Sequence, residues 1–201
     1  MSKIGPKRVR THVNPLSITR EVHFSGFDNN HPILVDVGAY KGEFVEALLE
    51  KFPQKNFILF EIRMPVANFL RKKFIDFSQV AIFDGDAGRN FRRILEPCQM
   101  RGAHIEEIFI NFPDPWPKER HKKRRFLNPE LINNCKNWLN AGAKWYFQTD
   151  QKSLFEETVL QLREEKIPPQ FFDRPIHDTM TDWEAKKTAD GFPIFRLKFS
   201  L

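Results

Sequence analysis

The chain has 201 residues, a formal net charge of +6 and an apolar fraction of 41%, which suits one domain with a sizeable core and argues against disorder. Its two cysteines, Cys98 and Cys135, lack metal-ligand spacing, and its six histidines are scattered and form no H-x-x-x-H pair. No apolar run approaches the roughly 20 residues that cross a bilayer, and no hydrophobic segment follows the basic N-terminus, so no metal, no membrane span and a cytoplasmic setting are expected.

Residues 1–31 are basic and irregular, with Pro6, Pro15 and the Asp28-Asn29-Asn30 turn cluster, and read as an arm or cap on a single domain over 32–201. Ile33 to Val37 is a buried strand and Gly38 to Gly42 its turn. Glu43 to Phe52 sets Phe44, Ala47, Leu48 and Phe52 on one helical face before Pro53. Phe57 to Ile62 is a second strand, Val66 to Phe77 a helix with a basic side, and Gln79 to Phe83 a third strand. A short helix near Phe91 to Leu95 leads to the strand Ile105 to Phe112. Pro129 to Asn140 is a helix capped by Asn128, with Gly142 past its end. Lys144 to Gln148, Lys152 to Glu165 and Ile194 to Phe199 are a strand, a helix and a terminal strand. Alternating strands and helices predict an α/β fold, a mostly parallel doubly wound sheet.

Positive charge is concentrated. Residues 118–125 hold six Lys/Arg against one Glu, and residues 1–10 add Lys3, Lys7, Arg8 and Arg10, a footprint expected of a nucleic-acid binder. The first cluster follows Asn111-Phe112-Pro113-Asp114-Pro115-Trp116-Pro117-Lys118, which fences one carboxylate with prolines at the end of a buried strand. Ligands of open α/β sheets bind at such strand ends. Further acids sit at the same edge: Asp36 before a glycine turn, Glu61 where a doubly wound fold holds ribose hydroxyls, Asp86, and Asp150 after Gln148-Thr149. The turn after Asp36 offers backbone N–H groups and a glycine, Gly38, that lets a ligand approach closely. It lacks G-x-G-x-x-G, which disfavours a dinucleotide, and no phosphate loop of the G-x-x-x-x-G-K-[ST] type is present. Thr181-Asp182-Trp183-Glu184 reads either as a helix-capping box or as a hydroxyl and carboxylate pair for a ligand.

In this order, Asp36 to Phe44, Glu61, Gly85-Asp86-Ala87, Asn111 to Arg125, Thr149-Asp150 and Thr181 to Glu184 resemble the bacterial tRNA (guanine-N7-)-methyltransferases, the TrmB family. The resemblance spans about 33 to 199, and the Phe-Pro-Asp-Pro-Trp block with its basic run is its most specific part; Arg8-Val9-Arg10 and His12 to Leu16 are similar to the opening of some members. It implies a class I, Rossmann-like S-adenosylmethionine-dependent methyltransferase with a C-terminal antiparallel strand, acting on guanine 46 of the tRNA variable loop. Carried onto this chain, Asp36, Gly38, Glu61, Asp86 and Asp114 would line the cofactor pocket and Asp114 would be catalytic. Lys118, Asp150, Thr181 and Glu184 would contact the tRNA.

The chain departs from the family's G-x-G-x-G at Tyr40, which holds the middle glycine's place. Tyr40 is expected to keep φ below zero with its ring turned out of the crevice. Two rival readings remain at this point. One is an amino-group methyltransferase, which the missing second proline after Asp114 opposes; the other is an RNA-binding protein of the same fold with weak or no catalysis. The sequence does not set the oligomeric state, monomer or homodimer.

Overall fold

A computed structural model describes residues 13–201; the basic residues Lys3, Lys7, Arg8 and Arg10 and the Arg8-Val9-Arg10 motif lie outside the described residues. The chain runs β1 (Ile33–Val37), α1 (Glu43–Lys51), β2 (Asn56–Phe60), α2 (Met64–Lys73), β3 (Val80–Phe83), α3 (Ala87–Met100), β4 (Ile105–Asn111), α4 (Pro129–Lys136), β5 (Lys144–Thr149), α5 (Lys152–Glu164), β6 (Gln170–Phe171), α6 (Asp182–Ala189) and β7 (Phe195–Ser200). The strands form one sheet in the order β3-β2-β1-β4-β5-β7-β6. β1 to β5 are parallel, and β7 runs antiparallel to both β5 and β6. Strand order reverses between β1 and β4, which opens the ligand crevice of a doubly wound sheet at their carboxyl ends.

Both faces of the sheet are covered, so its strands read as continuous apolar runs rather than alternations. Ile33, Val35, Ile58, Phe60, Ile108 and Ile110 face Phe91, Ile94 and Leu95 of α3 and Leu131 and Ile132 of α4. Leu34, Phe57, Leu59 and Phe109 face Phe44 and Leu48 of α1, Leu70 of α2 and Phe74 just past its end. Trp145 and Phe199 stack across β5 and β7, with ring centroids 5.7 Å apart. Within the stretch 13–31, Val22, Phe24 and Phe27 pack into the first face, and the Val22 amide donates to Asn90 Oδ1 at 2.9 Å.

Three of the elements that differ from expectation do so for a plain physical reason. The helix expected near Phe91 to Leu95 spans 14 residues, because the Asp86 side chain caps its start by accepting from the Arg89 amide and Pro97 falls in its last turn. The buried stripe of α1 is Phe44, Val45, Leu48 and Leu49, whereas Ala47 and Phe52 lie at its margin. Helix α6 was signalled only by the possible capping box at Thr181 to Glu184, since Glu184 is its single buried residue and it has no apolar period to read.

Candidate active site at the strand ends

Asp36 leaves the end of β1 almost fully buried, and burial raises its carboxyl to about 7. A long hydrogen bond from Asn111 Nδ2, 3.5 Å to Oδ1, opposes that shift, and the charge of Glu61 adds to it. Asn111, at the end of β4, accepts from Gln148 Nε2 of β5 at 2.9 Å. The same Gln148 nitrogen donates to Glu184 Oε2 of α6 at 3.3 Å. Glu184 has no exposed surface and is held by Arg196 of β7, NH2 to Oε1 at 2.5 Å. A buried polar chain therefore crosses four strand ends, from Asp36 to Thr181.

At that far end the capping box is real. The Glu184 amide donates to Thr181 Oγ1 at 3.1 Å, and the Thr181 amide donates back to Glu184 Oε2 at 3.4 Å. This cap carries Thr181 to the same edge as Asp150. Asp150 is clamped by Lys187 Nζ at 2.9 Å; burial pushes its carboxyl up, but the bonds from Lys187 and Gln151 outweigh this and leave it below the ordinary value.

The turn after β1 differs from expectation in two ways. Its amides are mostly spent inside the protein: Gly38 and Ala39 donate to the Phe60 carbonyl at 2.8 and 3.0 Å, Gly42 to Ala39, and Tyr40 to Glu61 Oε2 at 3.1 Å. What the turn offers a ligand is close approach, because a Cβ on Gly38, at φ +87°, would meet only open space. The second correction concerns Tyr40, whose φ is +49° rather than negative. The turn requires the left-handed conformation there, as a glycine would adopt freely, and Tyr40 accepts it with its ring exposed. The Arg63 guanidinium lies 5.1 Å from that ring's centroid and also grips Glu61.

Asp114 sits half-buried in a loop fixed by two prolines and bounded by two left-handed residues, Phe112 at φ +48° and Trp116 at +40°. Non-glycine residues hold such conformations where the surroundings determine them, often at functional sites. The surroundings are explicit: the Phe112 amide donates to the Gln148 carbonyl at 2.8 Å, and Arg125 Nε donates to the Pro115 carbonyl at 2.9 Å. Trp116 is outside the core; the Arg124 guanidinium lies 4.8 Å from its ring centroid and His121 meets it edge-on at 5.8 Å.

The basic run folds back on this loop as a 3-10 turn, Glu119–Arg124. Several of its charges are internal. Lys122 pairs with Glu119 and Glu157, and Arg125 pairs with Glu157 at 2.6 Å. Lys118, Arg120 and Lys123 point to solvent, and among the described residues they make no ion pair.

The structure thus places Asp36, Gly38, Glu61, Asp86 and Asp114 at the ends of β1 to β4, with Asp150, Thr181 and Glu184 joined to the same edge through β5. Asp86 also serves as the cap of α3, and Lys118 stands at the solvent end of the loop. Arg63, Arg196 and Lys187 were not singled out from sequence, and Asn111 and Gln148 were named only as parts of their motifs, with no role. For Asn111 and Gln148 a signal existed, an amide closing an otherwise apolar strand. Among the described residues no group of His, Cys, Asp and Glu is arranged to hold a metal ion, and no helix is long and apolar enough to cross a membrane.

A family model described as "Putative methyltransferase" matches residues 30–197. A tRNA (guanine-N(7)-)-methyltransferase of Listeria welshimeri is 33% identical over 180 residues, 86% of this chain and 81% of the relative. The enzymes so named from Lactobacillus acidophilus and Brevibacillus brevis are 32% and 30% identical over 85% and 87% of this chain, and 81% and 83% of their own. The chain belongs to the bacterial tRNA (guanine-N7-)-methyltransferase family. Solved structures add the fold. An antibiotic-related methyltransferase superposes with a TM-score of 0.57 at 17% identity, covering 87% of this chain and 88% of that one. A precorrin-6y C5,15-methyltransferase from Geobacter metallireducens superposes at 0.55 with 11% identity, covering 84% and 79%. The family member therefore has the class I methyltransferase sheet, with its antiparallel β7.

The crevice suits the family's cofactor, S-adenosylmethionine. Gly38 leaves room for close approach, and a buried carboxyl raised to about 7 gains from a cation brought beside it.

Proposed function

We propose that this chain transfers a methyl group from S-adenosylmethionine to N7 of guanine 46 in the tRNA variable loop, in a cytoplasmic setting. The observation that carries this is the buried chain Asp36–Asn111–Gln148–Glu184, which ties the cofactor side of the sheet to the Thr181 and Asp150 side. When bound, the cofactor supplies an electrophilic methyl on a sulfonium. Asp36, Gly38, Glu61 and Asp86 hold it at the ends of β1 to β3.

Guanine N7 carries an in-plane lone pair and no proton, so no strong general base is required. The protein's work is positioning, which brings the base to near-attack distance and excludes water. Asp114 accepts from the guanine N1–H and amino group and stabilises positive charge as it moves onto the purine. Its two prolines and the Gln148 and Arg125 contacts fix it before the substrate arrives. Thr181 and Asp150 bound the substrate side, and Glu184 completes it from beneath. Lys118 and the outward charges of the basic turn hold phosphates and supply affinity without reading sequence.

The alternative, an RNA-binding protein with weak or no catalysis, rested on Tyr40; its ring is exposed to solvent and the acids remain at the strand ends, so nothing favours it. Incubation of the purified protein with S-adenosylmethionine and an unmodified tRNA transcript, followed by nucleoside analysis, tests the proposal. 7-Methylguanosine at one variable-loop position is expected; a methylated amino group on adenine or cytosine, or no product, refutes it.

A further inference from the structure

Helix α6 has a surface that core packing does not explain. Glu184 is buried, and the helix is anchored through that residue's bonds to Arg196, Gln148 and Thr181 rather than through apolar contact. Its outer side carries Trp183, 46% exposed, and just past its end lies Phe192, 52% exposed. Lys187 stands between the two rings, with Nζ 4.9 Å from the Trp183 centroid and 4.5 Å from that of Phe192. The same Nζ is 2.9 Å from Asp150, so the two rings border the end of β5 where the crevice opens. Lys186 approaches the Trp183 ring as well, at 5.7 Å.

We propose that Trp183, flanked by Phe192, Lys186 and Lys187, is a stacking platform for an unpaired RNA base next to the target guanine. This rests on the reading above, that the crevice methylates a guanine in RNA. Every base has a π-face, so an exposed indole with ammonium groups beside it accepts single-stranded nucleotides regardless of sequence. Lys186, exposed beside the ring, meets a phosphate next to the stacked base, while Lys187 is held by Asp150 and braces the two rings. A protein-docking patch is the weaker fit, because the centres of protein interfaces are depleted in lysine and this one has an ammonium between its rings. A target guanine drawn out of its tertiary contacts leaves its neighbours unstacked, and a platform at the crevice rim restores what they lose. The anchorage through Glu184 gives the indole a fixed height above the crevice, since Gln148 bonds to both Glu184 and Asn111.

The test compares the parent with Trp183→Ala and Trp183→Phe on two RNAs, an unmodified tRNA transcript and one made abasic at the nucleotides flanking the target guanine. Trp183→Ala should weaken binding of the intact transcript roughly 5- to 150-fold, the span for one base–aromatic stack, while Trp183→Phe retains most of it. On the abasic RNA the two variants and the parent should bind alike, a result that a merely structural tryptophan would not give. Equal loss on both RNAs, or no loss on either, overturns the platform; a change in oligomeric state with RNA affinity intact would assign the patch to a second protein. Methyl transfer by the parent is read separately, so a parent that binds but does not methylate contradicts the proposed function and leaves the binding comparison to decide the platform.

Discussion

Arg63 grips the buried carboxylate of Glu61 with two arms of its guanidinium, Nε to Oε1 at 2.8 Å and NH2 to Oε2 at 2.9 Å. The backbone amides of Arg63 and Tyr40 donate to the same two oxygens. A carboxylate has about four lone-pair sites, so all are engaged. A ribose diol that reaches Glu61 has to take the place of the guanidinium, which keeps a path to solvent and a ring, Tyr40, to rest on.

Replacing Arg63 with leucine should therefore separate folding from cofactor affinity. Stability should fall by about 2–3 kcal/mol, below the roughly 3–5 kcal/mol for a fully buried pair because Arg63 is partly solvated. Affinity for S-adenosylmethionine should hold or improve, since nothing needs displacing. Chemical denaturation and calorimetric titration of the same variant read the two quantities, and a tenfold loss of affinity would show that the guanidinium itself binds the cofactor.

At Tyr40 the backbone rather than the ring is the constrained element. Tyr40→Gly and Tyr40→Ala both delete the ring, but only glycine adopts the left-handed region without strain. The glycine variant should be the more stable by about 1 kcal/mol, with cofactor affinity within a few-fold of the parent. Melting curves that rank alanine above glycine would mean that the turn does not hold φ near +49° in solution.

Asp36 gives the cofactor site a pH dependence. Its folded value, about 7, lies above the unfolded value of about 3.9, so the cofactor-free protein loses stability from this group as pH rises from roughly 4 to 7. A cation beside Asp36 favours the ionised form, so binding S-adenosylmethionine should release a proton below pH 7, and affinity should rise between pH 6 and 8. Asp36→Asn should flatten that rise. Calorimetry in two buffers of different ionisation enthalpy counts the protons, and a pH-independent affinity without proton release would remove Asp36 from the cofactor's charge.

The Glu184–Arg196 pair is the clearest case of burial without solvent relief. Arg196→Met leaves a carboxylate stranded and should cost about 3–5 kcal/mol. Adding Glu184→Met should recover part of that loss in folding while tRNA methylation stays low, because Thr181 and Gln148 lose their shared partner. A double variant less stable than Arg196→Met would show that Glu184 is not stranded without the arginine and stabilises the fold through Gln148 and Thr181.

Much of this arrangement is legible in the sequence because parallel strands buried on both faces are short apolar runs, and the residue that ends each run stands at the crevice. Asp36, Glu61, Asp86 and Asp114 were found in this way. The buried connections between strand ends were not, since Gln148 and Arg196 act through partners far away in the chain. Helix α6 was legible only at its capping box for a related reason: its anchor is an ion pair, which has no period. The conformation of Tyr40 was misread because sign and strain at a turn depend on what its amide bonds to, here Glu61 Oε2.

The most direct measurement of the central claim is single-turnover methyl transfer to a tRNA transcript by the parent and Asp114→Asn, with the product atom mapped and tRNA affinity measured alongside. The account predicts 7-methylguanosine in the variable loop from the parent. It predicts a loss of about two to three decades in rate for the variant, as for one preorganised electrostatic group, with tRNA affinity nearly intact. A variant within a few-fold of the parent's rate, or a methyl group on any atom other than guanine N7, would contradict it.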